Sequence, residues 1–533
     1  MRVGGEGVAI EGVTVTIGRR RVLGGESGVS LAVSPGEILG LIGESGSGKS
    51  MTALAISRLL PHGAVAGGRV LLGGRDLFGV SEREMCGVRG RDIGMIFQEP
   101  MTALNPLMTI GDQVAETARV HGGAWRAEAA ALAREALDRV GLAEIPASRY
   151  PHELSGGQRQ RVGIAMAVAL RPRLLIADEP TTALDVTTQA RVLDLIRRLV
   201  REDGIACLMI THDLAVVAEM ADRLAIMTEG RIVETGPTAS VLGAPIHSYT
   251  RALLAASTHR PVMPARPRGG VLAEAAGLVR EYPAGPRRLL GRRAVFRALD
   301  GVSFSLDEGE SLGLVGESGS GKSTLGRAVL GLERLQGGVV RVDGAPVGPD
   351  ARMAPETRRA VQAVFQDPYG SFDPRHRVAR LVAEPFHLVP NAPKGAARRR
   401  AVEAALEAVG LSAADMEKYI HEFSGGQRQR IAIARALITR PRLIVLDEAV
   451  SAVDARARAR ILDLLADLAG RFGLSYLFIS HDLTVVRAIT DRVMVMKAGE
   501  IVEQGPTVDV LSRPAHAYTK ALIAAAPELE IAS

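Results

Sequence analysis

The sequence predicts an α/β protein in which one kind of domain, with a mostly parallel sheet, is built twice along the chain. Short apolar runs that are typical of buried parallel strands recur throughout. Several of these runs end in glycine-rich or acidic segments, and the same segments return at a nearly constant spacing. GESGSGKS begins at Gly43 and again at Gly316, and SGGQRQR begins at Ser155 and again at Ser424, which are 273 and 269 residues apart.

The composition is that of a folded protein without a membrane span. The chain has 533 residues, of which 47% are hydrophobic and 23% charged, and this length usually means two or more domains. No apolar run approaches the roughly 18 residues that a membrane span needs. Glu6 and Glu11 interrupt the place where an export signal would have its apolar core, so we expect an intracellular protein.

The repeat sets the expected domain bounds. We expect a first domain over residues 1–257 and a second over residues 271–533. Between them, residues 258–270 read THRPVMPARPRGG, and their proline content predicts a semi-extended linker.

Each copy contains a loop that is typical of phosphate binding. In GESGSGKS, four residues separate two glycines, and Lys and Ser follow. An apolar strand precedes each loop and a helical pattern follows it, which would direct backbone N–H groups and the positive end of a helix dipole at phosphate. We expect Lys49 and Lys322 to reach the β- and γ-phosphates, and Ser50 and Ser323 to ligate Mg²⁺. The loop residues predicted to bind ATP are Gly43, Ser45, Gly46, Gly48, Lys49, Ser50 and Met51 in the first copy, and Gly316, Ser318, Gly319, Gly321, Lys322, Ser323 and Thr324 in the second.

Two adjacent carboxylates end a further apolar strand in each copy, in RPRLLIADEP and RPRLIVLDEA. Structural salt bridges are one explanation, but a buried strand has no structural use for two acids at its end. We therefore expect Asp178 and Asp447 to hold Mg²⁺, directly or through water. Glu179 and Glu448 would polarise the attacking water.

Polar residues also follow two other apolar strands. His212 and His481 come after CLMI and YLFI, each 33 residues beyond the acidic Glu. A lone His is usually a structural residue, but the repetition favours a γ-phosphate contact at the edge of the sheet. Gln98 and Gln366 follow a third apolar strand, and we expect them to contact Mg²⁺ and water.

The SGGQ segments predict a second anion site in each copy, because each places Ser and two Gly at the start of a helical pattern. One ATP cannot use both anion sites of one domain if they lie far apart. We therefore expect each copy to offer this loop to the nucleotide held by the other, so that two ATP molecules are sandwiched in a head-to-tail pair. The residues concerned are Ser155, Gly156, Gly157 and Gln158, and Ser424, Gly425, Gly426 and Gln427.

The order of these motifs resembles that of ABC-type ATPase domains, twice and over nearly the whole chain. QEPMTALNP, QDPYGSFDP, PHELSGGQ and the closing PIHSYTRALL and PAHAYTKALI are similar to ATP-binding subunits of bacterial oligopeptide, dipeptide and nickel importers. The chain resembles a fusion of two such subunits, as in the single-chain ATPases of glutathione importers. For each copy, the resemblance implies a RecA-like core, an antiparallel β subdomain and a helical subdomain. It also implies two integral membrane permease subunits and, through them, an extracytoplasmic substrate-binding protein, with this chain peripheral at the cytoplasmic face of the bacterial inner membrane.

The resemblance further implies an aromatic residue that stacks on adenine before each phosphate loop. Tyr282 suits this role in the second copy, whereas aligning GVTVTIG with GLVREYP places Ile17 there in the first. Many peptide-importer ATPases carry a Cys cluster. Because this chain has only Cys86 and Cys207, we expect no iron–sulfur cluster.

The alternative is a soluble tandem ABC ATPase that acts on ribosomes or nucleic acid. Translation factors of this class carry a long charged helical linker, and DNA-repair members carry zinc modules or long coiled coils, none of which the sequence predicts here. The sequence therefore favours an ATP hydrolase with two competent sites that energises an importer for peptides or related small solutes, without a nucleic-acid partner. The transported substrate is not encoded in this chain.

Overall fold

The computed structural model describes residues 7–97, 103–182, 184–284, 294–349, 353–367, 370–451, 453–527 and 529. The chain divides into two compact units, and the boundary along the chain falls between Thr258 and His259. Each unit contains one six-stranded, mostly parallel sheet and one antiparallel sheet. No helix of the described ranges combines the length and the apolar character that crossing a membrane requires.

The first unit contains both strands and helices. Its strands are β1 (Val8–Ile17), β2 (Arg20–Leu23), β3 (Val29–Val33), β4 (Ile38–Ile42), β5 (Ala64–Leu72), β6 (Arg75–Asp76), β7 (Ile93–Ile96), β8 (Leu174–Asp178), β9 (Ala206–Thr211), β10 (Arg223–Thr228) and β11 (Arg231–Pro237). Its described helices are α1 (Lys49–Ile56), α2 (Glu82–Val88), α3 (Ile110–Gly122), α4 (Arg126–Arg139), α5 (Gly156–Val168), α6 (Val186–Asp203), α7 (Leu214–Met220), α8 (Thr238–Gly243) and α9 (Ser248–Ser257).

The central sheet of the first unit brings the predicted motifs to one edge. Its strand order is β11-β10-β4-β9-β8-β7, and every neighbouring pair is parallel except β10 with β11. The strands β4, β8 and β9 are buried along their whole length, as their uninterrupted apolar sequences predict. Because adjacent parallel strands end on the same side, the segments that follow β4, β8 and β9 meet there.

Two further layers complete this unit. The antiparallel strands β1, β2, β3 and β5 share one hydrophobic core with α1 and the central sheet, and β6 pairs with β5. The helices α3, α4 and α5 pack against one another as a separate helical part. The predicted fold class, with an α/β core, an antiparallel part and a helical part, is therefore confirmed.

The second unit repeats this plan. Its strands are β12 (Val271–Pro283), β13 (Val295–Asp307), β14 (Ser311–Val315), β15 (Gly337–Val342), β16 (Ala345–Val347), β17 (Val361–Val364), β18 (Leu443–Asp447), β19 (Ser475–Ile479), β20 (Arg492–Lys497) and β21 (Glu500–Pro506). Its described helices are α10 (Lys322–Val329), α11 (Pro355–Ala360), α12 (Val378–Val382), α13 (Gly395–Ala408), α14 (Gly425–Leu437), α15 (Ala455–Phe472), α16 (Leu483–Ile489), α17 (Thr507–Ser512) and α18 (Ala517–Ala524). The central strand order, β17-β18-β19-β14-β20-β21, corresponds strand for strand to that of the first unit.

Strand register in the antiparallel sheets relates the two copies residue by residue. Gly12 of β1 and Gly277 of β12 have the same φ of 59° and lie where the pairing shifts register. Two residues further on, Thr14 pairs with Gly67 and Val279 pairs with Gly337. Ile17 and Tyr282 each lie five residues beyond these glycines and so occupy equivalent positions, in agreement with the aligned sequences.

The predicted linker lies along the second unit. Met263 packs against the core of that unit, and the Arg266 side chain is only 5% exposed. Its guanidinium lies 3.1 Å from the carboxylate of Asp491. The N–H of Gly269 donates to the carbonyl of Glu308 at 3.1 Å, so residues 259–270 are held by backbone as well as side-chain contacts.

Candidate active sites

The phosphate loops join a buried strand directly to a helix, as predicted. In the first unit, residues 43–48 connect β4 to α1, and Lys49 is the first residue of that helix. Gly48 and Gly321 cap the two helices with φ of 110° in both units, in the left-handed region that glycine tolerates best. A Cβ at Gly321 would also lie 2.2 Å from the carbonyl oxygen of Ala298, so the turn leaves no room for a side chain there.

The lysines of both loops are buried and held by the loops themselves. Lys49 Nζ donates to the carbonyls of Gly43 at 2.8 Å and Glu44 at 2.9 Å. Lys322 Nζ makes the corresponding bonds at 2.8 Å and 2.7 Å, and burial lowers its pKa although nearby carboxylates oppose this. The loops therefore hold their cation in place by hydrogen bonds to main-chain oxygen atoms.

The two aspartates fit a site for a hard cation. Asp178 is the last residue of β8 and is 7% exposed, and its Oδ1 has no hydrogen-bond partner among the described residues. Burial raises the pKa of Asp178 and Asp447, while a hydrogen bond from the loop serine, Ser50 or Ser323, opposes the rise. The Oγ of Ser323 lies 3.4 Å from Asp447 Oδ1. A buried carboxylate beside a serine hydroxyl is the kind of oxygen donor set that Mg²⁺ prefers.

The neighbouring glutamates occupy a sharp turn at the strand ends. Glu179 and Glu448 both have φ of 50°, which is uncommon for a residue other than glycine. The N–H of Glu179 donates to the carbonyl of Ile210 at 2.8 Å, and that of Glu448 to Ile479 at 2.9 Å. This bond ties each turn to the adjacent strand.

Each glutamate is paired with the predicted histidine. His212 Nδ1 lies 3.0 Å from Glu179 Oε1, and His481 Nδ1 lies 3.2 Å from Glu448 Oε1. Burial raises the pKa of both glutamates, but the hydrogen bond and charge of the histidine outweigh it, and each pKa lies below its ordinary value. Burial lowers the pKa of both histidines, but the glutamate outweighs it and each pKa is raised. Each glutamate is therefore a carboxylate at neutral pH and can act as a base.

One contact to these acids is not among the predicted ones. Thr182 Oγ1 donates to Glu179 Oε2 at 2.9 Å, so both carboxylate oxygens of Glu179 are engaged. In the second unit Ser451 Oγ instead donates to the main-chain oxygen of Glu448, at 2.9 Å. A hydroxyl residue stands three positions after each acid, in EPTT and EAVS, but this pattern does not specify which oxygen the hydroxyl contacts.

The SGGQ segments begin helices, as predicted. Ser155 caps α5, with its Oγ accepting from the N–H of Gln158 at 3.3 Å, and Ser424 caps α14 in the same way at 3.4 Å. Gly156 follows Ser155 at the helix start, and both are exposed. The lysine, aspartate, glutamate and histidine of each unit lie at neighbouring strand ends. Among the described residues, neither serine makes a hydrogen bond to any of these four residues of its own unit.

The remaining predicted residues lie at the rim or beyond the described ranges. Ile17 ends β1 and is 37% exposed. The guanidinium of Arg280 lies 4.1 Å from the ring centroid of Tyr282 and so covers one face of that ring. Gln366 is exposed just after β17, whereas Gln98 lies outside the described residues.

Two family descriptions match this chain, and each matches it twice. Residues 27–182 and 299–451 match the ABC transporter family. Residues 233–285 and 502–533 match the oligopeptide/dipeptide transporter C-terminal region. Each compact unit thus carries one ATPase match, and a C-terminal match begins after each of them.

Individual relatives match over almost the whole length. The chain is 47% identical over 509 residues to the peptidoglycan transport ATP-binding protein YejF of Agrobacterium fabrum, an alignment that covers 94% of this chain and 93% of the relative. It is also 47% identical over 543 residues to the glutathione import ATP-binding protein GsiA of Escherichia coli K12, covering 94% of this chain and 86% of the relative. Among solved structures, cbiO1 of Clostridium perfringens, part of the ABC transporter complex cbiONQ, matches 46% of this chain and 92% of its own at 26% identity and a TM-score of 0.40. Because the ABC transporter family matches both halves and the two named relatives are 47% identical over 94% of the chain, the chain belongs to that family, as an ATP-hydrolysing subunit with two ABC ATPase domains in tandem.

Proposed function

We propose that this subunit energises the import of a small peptide or peptide-containing solute by hydrolysing ATP in both domains. The observation that carries the proposal is the 47% identity, over 94% of the chain, to ATP-binding proteins named for peptidoglycan transport and glutathione import. Peptide linkages are common to those two solutes. The repeated C-terminal region of oligopeptide/dipeptide transporters supports the same class of substrate.

The proposed chemistry uses the residues at the strand ends. Ser50 and Asp178 in the first domain, and Ser323 and Asp447 in the second, would hold Mg²⁺, with Gln98 and Gln366 as further ligands. When bound, Mg²⁺ supplies positive charge that offsets the charge on the phosphates. Lys49 and Lys322 would exchange one or both of their loop carbonyls for phosphate oxygens, because their ammonium groups already lie within the loops.

Water attack is assigned to the glutamate and histidine pair. The carboxylate of Glu179 accepts a hydrogen bond from the attacking water and orients it, as Glu448 does in the second domain. His212 and His481 hold these carboxylates through Nδ1 and would donate from Nε2 to the γ-phosphate. The raised histidine pKa favours the protonated ring that can make both bonds.

We further propose that each nucleotide is completed by the SGGQ loop of the other domain, and that an adenine stacks on Tyr282 in the second. The amides at Gly156 and Gly425 lie at the exposed first residues of two helices and are suited to bind an anion. The partners would be two integral membrane permease subunits and, through them, an extracytoplasmic binding protein, at the cytoplasmic face of the bacterial inner membrane.

The test is solute uptake by cells that lack this chain. Complementation with the wild-type chain should restore uptake of labelled glutathione or a labelled cell-wall peptide, and the Glu179→Gln/Glu448→Gln double variant should not. The wild-type chain should sediment with membranes only when its permease subunits are co-expressed. Unchanged uptake, together with co-sedimentation of the chain with ribosomes or nucleic acid, would instead establish the soluble ATPase alternative.

A further inference from the structure

A tyrosine outside the ATPase motifs contacts the phosphate loop in each domain. The Oη of Tyr249, the second residue of α9, accepts the N–H of Glu44 at 3.1 Å. The Oη of Tyr518, the second residue of α18, accepts the N–H of Glu317 at 2.9 Å. Each glutamate is the second residue of GESGSGKS, and both tyrosines lie within the segments that match the oligopeptide/dipeptide transporter C-terminal region.

The residue whose N–H is bound by each tyrosine also accepts from the loop lysine through its own carbonyl. In the first domain the carbonyl of Glu44 accepts from Ser47 N–H at 3.1 Å and from Lys49 Nζ at 2.9 Å. In the second, the carbonyl of Glu317 accepts from Ser320 N–H at 3.2 Å and from Lys322 Nζ at 2.7 Å. A displacement of this residue therefore moves the cation that we assign to the β- and γ-phosphates.

The tyrosine of the first domain is itself fixed by the fold. Both carboxylate oxygens of Glu234, in β11, accept main-chain N–H groups, from Ile246 at 2.8 Å and His247 at 3.0 Å. The ring Nδ1 of His247 then accepts the N–H of Tyr249 at 3.1 Å and caps α9. The start of the C-terminal helix is thus anchored to the edge strand of the central sheet.

The second domain builds the same chain of contacts from residues 269 positions further on. Glu503, in β21, accepts from the N–H groups of Ala515 at 2.7 Å and His516 at 3.1 Å. His516 Nδ1 accepts the N–H of Tyr518 at 3.1 Å. Two copies with different flanking residues, PIHSYTRALL and PAHAYTKALI, have kept the carboxylate, the histidine cap and the tyrosine together.

Packing alone does not account for the hydroxyl. Tyr518 is 7% exposed and belongs to the apolar core of its domain, where a phenylalanine ring would fill the same space. A phenylalanine would lack the hydroxyl oxygen that accepts the Glu317 N–H. The hydroxyl therefore serves the phosphate loop, and the ring serves the core.

We propose that Tyr249 and Tyr518 are positioning residues for ATP: each hydroxyl fixes the beginning of its phosphate loop, so that nucleotide affinity depends on the docked C-terminal helix. The inference rests on the proposed ATP sites. It assigns to the C-terminal region a direct part in nucleotide binding, through a main-chain amide in each domain.

The experiment compares the full chain with the Tyr249→Phe/Tyr518→Phe double variant. Loss of a hydrogen bond to the loop should raise the Kd and the KM for ATP roughly three- to tenfold, with kcat changed less than about twofold. Hydrogen exchange of the peptides covering residues 43–50 and 316–323 should become faster, while exchange in the central strands stays unchanged. Each single variant should loosen only its own loop.

Tyr476→Phe is the matched control. It removes a buried hydroxyl that donates to the carbonyl of Leu465 at 2.9 Å, in the same fold but without contact to a phosphate loop, and should leave the Kd for ATP unchanged. An unchanged Kd in the double variant, or an equal rise in Tyr476→Phe, would overturn the positioning role while leaving the proposed function intact. Failure of the wild-type chain to bind ATP would overturn both.

Discussion

The two domains share one framework and differ in the side chains that contact the glutamates assigned to water attack. The lysine bonds of the loops measure 2.8 and 2.9 Å in the first domain and 2.8 and 2.7 Å in the second. Glu179, however, accepts from Thr182 as well as from its histidine, whereas the hydroxyl of Ser451 is bonded to the main chain of Glu448. The repeated strands set the framework, and single substitutions at the sheet edge adjust each site within it.

A second difference lies at the position assigned to adenine. Strand register makes Ile17 and Tyr282 equivalent, yet one is aliphatic and the other carries an aromatic ring covered on one face by Arg280. An aromatic ring adds stacking to the contact area that both side chains offer. The comparison therefore predicts tighter nucleotide binding in the second domain, with the same hydrolytic groups in both.

Removal of both bases should have the largest effect. The Glu179→Gln/Glu448→Gln double variant should lose ATP hydrolysis by about 10²-fold or more, because a positioned base contributes about 10²- to 10⁴-fold. Each single variant should lose half or more of the activity in a phosphate-release assay of the full chain. If Glu179→Gln leaves activity untouched while Glu448→Gln abolishes it, the first site is degenerate and the two domains are not functional equivalents.

Substitution of Tyr282 or Ile17, the two residues at the position assigned to adenine, should change the affinity for ATP by a smaller factor. Tyr282→Ala should weaken ATP binding in the second domain up to about tenfold, because aromatic stacking is worth about 0.5–1.5 kcal/mol beyond area burial. Ile17→Tyr should strengthen binding in the first domain by a similar factor. Titration calorimetry of the full chain, with Tyr282→Phe as the control that keeps the ring, measures both. Equal affinities at the two sites of the wild-type chain would contradict the assignment of Tyr282.

Removal of the Thr182 hydroxyl that contacts Glu179 should slow ATP hydrolysis moderately, and in the first domain only. Thr182→Val removes the donor to Glu179 Oε2 and should slow hydrolysis roughly threefold, since a hydrogen bond to a charged group helps to orient it. Ser451→Ala is the matched change in the second domain and should leave the rate unchanged, because that hydroxyl does not contact the carboxylate. An equal loss in both variants would show that the difference between the acids has no catalytic consequence.

The ion pairs predict a pH dependence of stability that is the same in both domains. Without nucleotide and metal, the raised pKa of His212 adds stability that is complete below its unfolded value of 6.5 and is lost as the pH rises through the folded value. The lowered pKa of Glu179 adds stability that is complete above 4.5 and is lost as the pH falls through the folded value. The Glu179–His212 ion pair therefore stabilises the fold most between pH 4.5 and pH 6.5.

Thermal unfolding of the wild-type chain and His212→Gln checks this window. The difference between their midpoints should be greater near about pH 5.5 than near about pH 9. His481→Gln is the corresponding variant in the second domain. A difference that grows toward high pH would mean that the neutral histidine, and not the ion pair, stabilises the site.

Much of the molecule could be predicted from the sequence because its signals are local. An apolar run of four or five residues followed by a glycine-rich or acidic segment specifies a buried strand and what comes directly after it, and both RPRLLIADEP and RPRLIVLDEA fold in that way. The repeat spacing then relates the two domains. The family resemblance, the fold class and the ATPase activity were predicted from these features and are confirmed.

Other contacts could not be predicted, because they depend on side-chain direction or on residues distant in the chain. Nothing in EPTT indicates that the Thr182 hydroxyl, and not that of Thr181, reaches the acid. The repeated PIHSYTRALL segment indicates a family feature only, because 205 residues separate Tyr249 from the Glu44 amide that it contacts.

The sequence by itself thus determined that phosphate loops, acids and histidines occur in each half and in which order, because strand and turn preferences act between neighbours. Only the tertiary structure decided which of them meet. The parallel order of β4, β9 and β8 brings three strand ends together, and Tyr249 of α9 adds a hydroxyl contact to the loop that follows β4. Those contacts follow from close packing of buried side chains, which a linear pattern does not specify.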